Sequence, residues 1–211
     1  MSVDISSTYL VEVVTSQAVE AELWNAITEQ QLIDWEDKWK PEVDAAVQRL
    51  KAQGVDRSRL PQSRHWNWRR KAQDSSGILA KPSFCVMCQG VTQGMMILDT
   101  LQNARLKMQA GKSIIYIEYL EVAPWNRRDL ITSLPRYQPV GSILVRAAIE
   151  SSQQQGFKGR LGLHSLPQSD DYYRKVCGMT DLGADPNYQN LRYFEMTPEM
   201  AGAFIAKGNK P

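Results

Sequence analysis

One stretch of the sequence sets a strand, a helix and a second strand in an order that few folds allow. Ser113–Val122 is rich in Ile and Tyr, and Leu161–Ser165 is a second short apolar stretch. Between them, Val140–Gln155 places apolar side chains on one helix face, and Gly156 is typical of the residue that ends a helix. Two strands joined through one helix pack as a right-handed crossover. The stretch therefore predicts a βαβ unit within a mixed α/β fold.

The rest of the chain predicts further elements around this unit. We expect a first helix that starts at Thr15 or Ser16 and runs to about Lys40, because apolar residues recur there at four-residue spacing. A second helix begins at Pro41 and ends at Gly54, since proline is tolerated in the first helical turn. The other predicted elements are strands at Tyr9–Val14, Phe84–Gln89, Met95–Thr100 and Leu191–Met196, and a short helix at Gln168–Val176.

Composition excludes several classes of protein. The 211 residues are 43% apolar and 23% charged with a net charge of +2, which is neither a disordered chain nor a strongly basic one. The apolar stretches have the length of strands, and the first ten residues lack the basic and apolar regions of a secretory signal. Three cysteines make a disulfide framework a poor expectation. We therefore expect a cytoplasmic protein that is not bound to a membrane.

Cys85 and Cys88 have the spacing of half a zinc site. A strand over these residues would point the two side chains to opposite faces, so they could not share a metal ion. We expect both to be core residues and predict no metal site.

Charge is distributed unevenly along the first third of the chain. Residues 1–48 carry two Lys and ten Asp or Glu, and residues 49–71 carry eight Lys or Arg and one Asp. Residues 57–71, here called the basic segment, mix cations with Trp66 and Trp68, which is a pattern that can stack on bases and hold phosphates. The favoured interpretation is a packed pair of tryptophans whose basic neighbours face the acidic first helix. The six tryptophans also leave open an aromatic acceptor cleft or a homodimer surface.

The junction before the predicted helix at residue 140 has the features of an anion site. Free backbone N–H groups and the helix dipole favour an anion at a helix N-terminus. Gly141 permits close approach of that anion, and Arg136 adds a full positive charge. These two residues therefore predict a phosphate site at this βα turn.

Several features in the correct order resemble the coenzyme A-binding half of the GNAT acetyltransferase superfamily. That family has a strand ending in Val-x-Pro, then the signature Gln/Arg-x-x-Gly-x-Gly/Ala, a Ser-x-Leu-Leu helix, and a tyrosine pair before Gly-Phe. The matching residues here are Val122-Ala123-Pro124, Arg136 and Gly141, Ser142-Ile143-Leu144-Val145, Tyr172-Tyr173, and Cys177-Gly178-Met179. The resemblance covers roughly residues 84–196.

The resemblance implies one GNAT-like domain over residues 1–211, with a mixed and mostly antiparallel sheet and helices on both faces. Residues 1–82 would form the acceptor side and residues 83–200 the acetyl-CoA-binding core. The implied cofactor-binding residues are Glu121, Val122, Ala123, Arg136, Gln138, Val140, Gly141, Ser142, Ser165 and Tyr172. Three features depart from the family. Pro139 replaces the first glycine and removes an N–H donor, and residues 125–135 form an inserted loop. The spacing from the tyrosine pair to Gly178 is one residue longer, which leaves open which tyrosine faces the cofactor thiol.

The implied reaction is direct attack of a primary amine on acetyl-CoA. Such a reaction needs a base for the amine and a proton donor for the leaving thiolate. We expect Glu118, on the central strand, to be the base, with His164 as an alternative. We expect Tyr173 to be the proton donor, with Tyr172 in reserve.

Two other functions stay open from the sequence. Pro139 is compatible with a weak or inactive acyl-CoA-binding module. The basic segment is compatible with a nucleic-acid-associated protein, including an acetyltransferase that acts on aminoacyl-tRNA, although this is not the favoured interpretation.

Overall fold

The computed structural model of the protein describes residues 3–208. Among these residues, nine strands lie at β1 (Ile5–Glu12), β2 (Gln17–Trp24), β3 (Ser83–Cys88), β4 (Val91–Asn103), β5 (Ser113–Val122), β6 (Tyr137–Gln138), β7 (Leu161–Ser165), β8 (Thr180–Asp185) and β9 (Leu191–Met196). The α-helices lie at α1 (Glu29–Asp34), α2 (Lys40–Ala52), α3 (Trp68–Ser75), α4 (Val140–Gln154) and α5 (Pro198–Gly208).

The strands form one sheet in the order β6-β1-β2-β3-β4-β5-β7-β9-β8. β5 and β7 are parallel, whereas the pairs β1–β2, β2–β3, β3–β4, β7–β9 and β8–β9 are antiparallel. α4 connects the two parallel strands, which confirms the predicted βαβ unit. The mixed α/β class with a mostly antiparallel sheet is confirmed as well.

The prediction of a helix from Ser16 onward is wrong. β1 and β2 form a hairpin there, and helix begins only at Glu29, after Thr28 donates its backbone N–H to Gln31 Oε1. A four-residue spacing equals two full periods of strand alternation as well as about one helical turn. Val19 and Leu23 therefore share a face in either structure. The buried Ala21 between them belongs to the alternation of a strand.

The helical segment from α1 to α2 contains one turn of π-helix at Trp35–Trp39. The backbone N–H of Lys40 donates to Trp35 O, five residues back, and Pro41 follows directly. Proline lacks an N–H and its ring crowds the carbonyl of the preceding turn, so a widened turn accommodates it. Trp39 is buried, and its Nε1 donates to Thr92 O at 3.1 Å. The predicted start at Pro41 is thus correct to within one residue.

Two elements near the end of the chain have no counterpart among the predicted elements. β8 pairs antiparallel with β9, with a register shift between Asp181 and Ala184. α5 follows β9 directly and buries Ala201 against Gly159. The predicted short helix at Gln168–Val176 is a 3-10 turn at Pro167–Ser169 followed by a π-helical turn at Tyr172–Val176.

Contacts divide the chain into two compact units. The first contains the segment up to Ile78, Pro82–Ile97 and Leu120–Leu144, and the second contains Leu79–Lys81, Leu98–Tyr119 and the segment from Val145 onward. Buried side chains of the first include Leu10, Trp39, Trp68, Val86, Met95, Met96 and Leu144. Those of the second include Leu98, Ile114, Ile115, Ala148, Leu161 and Phe194.

All three cysteines, Cys85, Cys88 and Cys177, are buried and free, which confirms that the first two are core residues. Across residues 3–208, no helix combines the length and apolar character needed to span a bilayer.

Candidate active site

The predicted anion site lies in the first unit, where a short edge strand leads into α4. β6 pairs antiparallel with β1, so Val11 lies opposite Gln138 and Glu12 opposite Tyr137. The peptide bond between Gln138 and Pro139 is cis. The pairing ties the residues just before the helix to the sheet, and α4 therefore starts from a fixed point.

The first turn of α4 presents unbonded backbone donors. Ser142 and Ile143 both donate their N–H groups to Pro139 O, at 3.0 and 3.2 Å. Within residues 3–208, the N–H groups of Val140 and Gly141 donate to no acceptor. Unbonded donors at the start of a 15-residue helix favour an anion, both by direct hydrogen bonding and through the helix dipole.

Arg136 stands immediately before this turn. Its guanidinium lies 5.1 Å from the centre of the Tyr137 ring, and its Nη2 donates to Gln89 Oε1 at 3.3 Å. These contacts hold an exposed cation near the helix start. The structure thus brings together five of the predicted cofactor-binding residues: Arg136, Gln138, Val140, Gly141 and Ser142.

Gly94 lets α4 approach β4 closely. A Cβ atom on this glycine would lie 2.8 Å from Val140 Cγ1 and 2.9 Å from Leu144 Cδ1, which is closer than real Cβ contacts. The absent side chain of Gly94 therefore sets how deeply the first turns of α4 lie against the sheet. The predicted strand Met95–Thr100 begins just after this glycine, so nothing in the sequence indicated its contact with α4.

Glu121, at the end of β5, is buried and its side chain is bound to the protein itself. Trp68 Nε1 donates to Glu121 Oε2 at 2.6 Å, and Arg127 Nη1 lies 3.1 Å from Oε1. Burial raises the pKa of Glu121 although the Arg127 charge opposes the shift. The predicted backbone contact of Glu121 with the cofactor stays a prediction, as do those of Val122 and of Ala123, whose N–H donates to Gln93 O at 2.9 Å.

β7 and the part of β5 up to Tyr119 lie in the second unit, and the two strands separate soon after they meet. Across the described residues their ladder holds two pairs, Ile115 with Leu161 and Tyr116 with Gly162. Ile115 donates its N–H to Arg160 O on the β7 side, and strand alternation puts the N–H and C=O of Ile117 on that same edge. The Tyr116–Gly162 pair uses the N–H of Ile117, so the open backbone edge of β5 begins at the C=O of Ile117.

Glu118, the predicted base, is half-buried and forms an ion pair with Lys81. Burial lowers the pKa of Lys81, but the hydrogen bond and charge of Glu118 outweigh that effect and leave it raised. The role of Glu118 as the base stays a prediction.

Tyr172 and Tyr173 lie on the π-helical turn, with their ring centres 5.3 Å apart. Tyr173 is buried against Phe194, and burial raises the pKa of its hydroxyl. The phenol therefore keeps its proton at neutral pH, as a proton donor must. Ser165 is also buried, and its Oγ donates to the adjacent carbonyl of Leu166 at 2.9 Å.

His164 is held in a hydrogen-bonded chain on the second unit. Its Nε2 lies 3.0 Å from Asp185 Oδ2 and its Nδ1 lies 2.8 Å from the Tyr116 hydroxyl. The Tyr188 ring stacks on the imidazole at 3.9 Å. Hydrogen bonds from Arg105 and His164 lower the pKa of Asp185 to about 2, and burial lowers the pKa of His164. A neutral imidazole that donates from Nε2 to this carboxylate accepts the Tyr116 proton at Nδ1.

Two residues hydrogen-bonded to His164, Tyr116 and Asp185, were not predicted from the sequence as site residues. Asp185 ends the unpredicted strand β8, so no sequence signal placed it beside His164. Tyr116 could have been identified from strand alternation, because it lies two residues before Glu118 on β5 and therefore on the same face.

The basic segment is largely occupied by internal contacts. Trp68 is fully buried, and Arg69 hydrogen-bonds to Glu29 and Glu36 at 2.7 to 3.0 Å. This confirms, for these two residues, the predicted packing of a tryptophan with its basic neighbour facing the acidic helical segment.

No protein-family model matches the chain, and no curated protein is similar to it in sequence. Several solved structures are similar to it. A bacterial toxin is 13% identical with a TM-score of 0.50, over 68% of this chain and 80% of the toxin. PaiA N-acetyltransferase from Thermoplasma acidophilum, solved in complex with coenzyme A, is 12% identical with a TM-score of 0.49, over 93% and 99% of the two chains. Ard1 from Thermoplasma volcanium is 12% identical with a TM-score of 0.44, over 83% and 95%. At these identities the likeness concerns the fold.

Proposed function

We propose that the chain is an N-acetyltransferase that moves an acetyl group from acetyl-CoA to a primary amine. The observation that carries the proposal is the start of α4. There the unbonded N–H groups of Val140 and Gly141 lie beside Arg136, in the order of the coenzyme A signature that the sequence resembles. The pyrophosphate of acetyl-CoA is the anion that we assign to this site.

The open edge of β5 supports the same proposal. The pantetheine arm of acetyl-CoA is extended and carries amide groups, so it can hydrogen-bond to a strand edge as another strand would. The C=O of Ile117 lies on this edge, just beyond the last pair with β7. We assign the arm to this edge.

The side chains have separate roles in the proposed reaction. The amine nitrogen attacks the thioester carbonyl carbon, so a C–N bond forms and the C–S bond breaks. Glu118 takes the proton that the nitrogen loses, and Tyr173 gives its hydroxyl proton to the leaving sulfur. Solvent then exchanges protons with both groups and returns them to their starting states. The raised pKa of Tyr173 keeps the phenol protonated before each turnover.

One observation favours a second candidate function, the binding of an acyl-CoA without turnover. Glu118 is ion-paired with Lys81, so it must loosen that contact before it takes a proton. Binding and turnover are therefore measured separately.

The test begins with calorimetric titration of the wild-type chain with acetyl-CoA, followed by thiol release with a panel of primary amines that includes aminoacyl-tRNA. Gly141→Asp places a carboxylate at the proposed phosphate site and should weaken binding by about tenfold or more. Gly202→Asp is the matched control, because Gly202 lies on α5 with open space around its Cβ position.

The outcomes separate the proposals. Binding that is lost in Gly141→Asp and kept in Gly202→Asp, together with thiol release, supports the acetyltransferase. Binding without release from any amine supports the binding module. Absence of binding at millimolar acetyl-CoA contradicts both.

A further inference from the structure

β1 is an edge strand along most of its length. Its outer neighbour β6 has two residues and pairs only with Val11 and Glu12. Over Ile5–Leu10, within the described part of the chain, β1 has a partner on the β2 side alone. A strand edge of this length carries unpaired backbone groups that can bind another strand.

The alternation of β1 fixes which residues face outward. Asp4 O accepts from Asn25 N–H at 3.1 Å, so even-numbered residues turn their backbone groups toward β2. Val13 N–H donates to Arg136 O at 3.0 Å, on the side of β1 away from β2. Odd-numbered residues therefore turn their backbone groups away from β2. Ile5, Ser7 and Tyr9 therefore present their N–H and C=O groups at the open edge.

The two edges of the sheet differ in their protection. β8, at the far edge, has a register shift and carries Asp181 and Asp185, both ion-paired. Such bulges and charges are the usual means of blocking strand addition. Ile5–Leu10 holds no charge and no proline, and its pairing with β2 has no register shift. Ile5 and Tyr9 are 51% and 63% exposed, large fractions for such side chains on a strand.

We propose that this edge binds a second copy of the chain, antiparallel and with its twofold axis at Ser7. Outward-facing residues must meet outward-facing residues, so Ser7 lies opposite the partner's Ser7 and Ile5 opposite the partner's Tyr9. This register forms six backbone hydrogen bonds. It ends at Tyr9 because the outer edge of the next odd residue, Val11, is already paired with β6.

The side chains are self-complementary in the same register. On one face, Ile5 packs on the partner's Tyr9, an aliphatic–aromatic pair of the kind that stabilises neighbouring strands. On the other face, the hydroxyls of Ser6 and the partner's Thr8 lie opposite each other. Asp4 lies opposite the partner's Leu10, so no like charges meet.

The nearest repulsion across the proposed axis is weak. Glu22, on β2, pairs with Ser7 of β1. The two copies of Glu22 therefore lie three strand spacings apart, about 14 Å. That separation exceeds the screening length of about 8 Å at physiological ionic strength. A second copy therefore fits this edge in shape, hydrogen bonding and charge.

Sedimentation velocity on the full chain tests the proposal. Pairing of five residues per copy is small for a protein interface, so the dimer should be populated at about 100 µM and dissociate on dilution. The expected mass is twice the 23.9 kDa of the monomer. A wild-type chain that stays monomeric at this concentration overturns the proposal.

Charge variants test the register. Ile5→Lys with Tyr9→Lys places lysine opposite lysine twice and should raise the dimer dissociation constant by about tenfold or more. Ile5→Lys with Tyr9→Glu places lysine opposite glutamate twice and should keep the dimer, with affinity that falls as salt rises. Equal dimer affinity of the Lys/Lys variant and the wild type, or no dimer for the Lys/Glu variant, contradicts the register.

A third variant isolates the backbone contribution. Ser7→Pro removes an outward N–H that takes no part in pairing with β2, and proline is tolerated at such edge positions. It should abolish the dimer while the thermal midpoint of the monomer stays near that of the wild type. An unchanged dimer in Ser7→Pro excludes this edge as the interface.

Discussion

The indole Nε1 of Trp68 donates a 2.6 Å hydrogen bond to the buried carboxylate of Glu121. This bond joins helix α3, which was not among the predicted elements, to the end of the central strand β5. Arg127, from the loop between β5 and α4, binds the other carboxylate oxygen and also Ser63 Oγ. Two segments distant in sequence, residues 63–68 and 121–127, thus meet around one carboxylate.

Trp68→Phe should destabilise the protein by about 1–3 kcal/mol. The smaller phenyl ring fills less of the buried site, and a buried carboxylate loses its shortest hydrogen bond. Urea denaturation measures the change. Trp66→Phe is the matched control and should cost less, because Trp66 is only half-buried. Equal costs for the two variants would mean that the bond to Glu121 contributes little.

Gly94→Ala should destabilise the protein by about 1–3 kcal/mol, since the new methyl group must displace Val140 or Leu144. Because it moves the first turns of α4, it should also weaken acetyl-CoA binding if the proposed function holds. Gly202→Ala should instead stabilise by about 0.5–1 kcal/mol, because alanine favours a helix and the site has room. Thermal unfolding of the two variants should therefore shift in opposite directions.

Acidification should weaken the folded state through His164 and then through Asp185. Burial lowers the pKa of His164 in the folded state below 6.5. As pH falls through 6.5, the unfolded chain therefore takes up a proton before the folded chain does. The folded state then loses the stability that a neutral His164 gives it at higher pH. The pKa of Asp185 is about 2 against an ordinary 3.8, so its contribution is present above 3.8 and is lost as pH falls toward 2.

His164→Gln isolates the first of these effects. Because buried Glu121 has a raised pKa and contributes in the opposite sense, the quantity to follow is the difference in unfolding free energy between wild type and variant at each pH. That difference should shrink as pH falls through 6.5. His65→Gln, at an exposed histidine, is the matched substitution. A difference that stays constant with pH would show that His164 has no altered proton affinity.

Tyr173→Phe should lower kcat by about 100-fold with little change in acetyl-CoA affinity, if Tyr173 protonates the leaving thiolate. Tyr172→Phe is the matched control on the same turn. Full activity in Tyr173→Phe with a loss in Tyr172→Phe would exchange the roles of the two tyrosines.

Much of the fold was predictable because its strongest signals are local. The βαβ unit follows from a helix with one apolar face between two apolar strands, and its boundaries agree with the structure to within one residue. The hairpin of β1 and β2 did not follow, because Val19 and Leu23 satisfy both periodicities. Only pairing with a distant strand, as between Leu23 and Val86, decides between them.

The candidate site could be proposed from sequence where it depends on residue order, and not where it depends on contacts between distant segments. The order of Arg136, Gly141 and Ser142 pointed to the start of α4 directly. The side-chain partners of Glu118 and Glu121 did not follow, because Lys81 and Trp68 approach β5 only through tertiary packing. Gly94 could not be identified either, since its importance comes from the two side chains that lie against it.

The widened turn at Trp35–Trp39 has an evolutionary consequence. Five residues there occupy the place of about four in a regular turn, so the helical segment holds one extra residue without altering its course on either side. A one-residue deletion at this turn would leave α1 and α2 on their present faces. The same deletion within α2 would rotate every later side chain by about 100°. Changes of length in this lineage are therefore most readily accepted between Trp35 and Trp39.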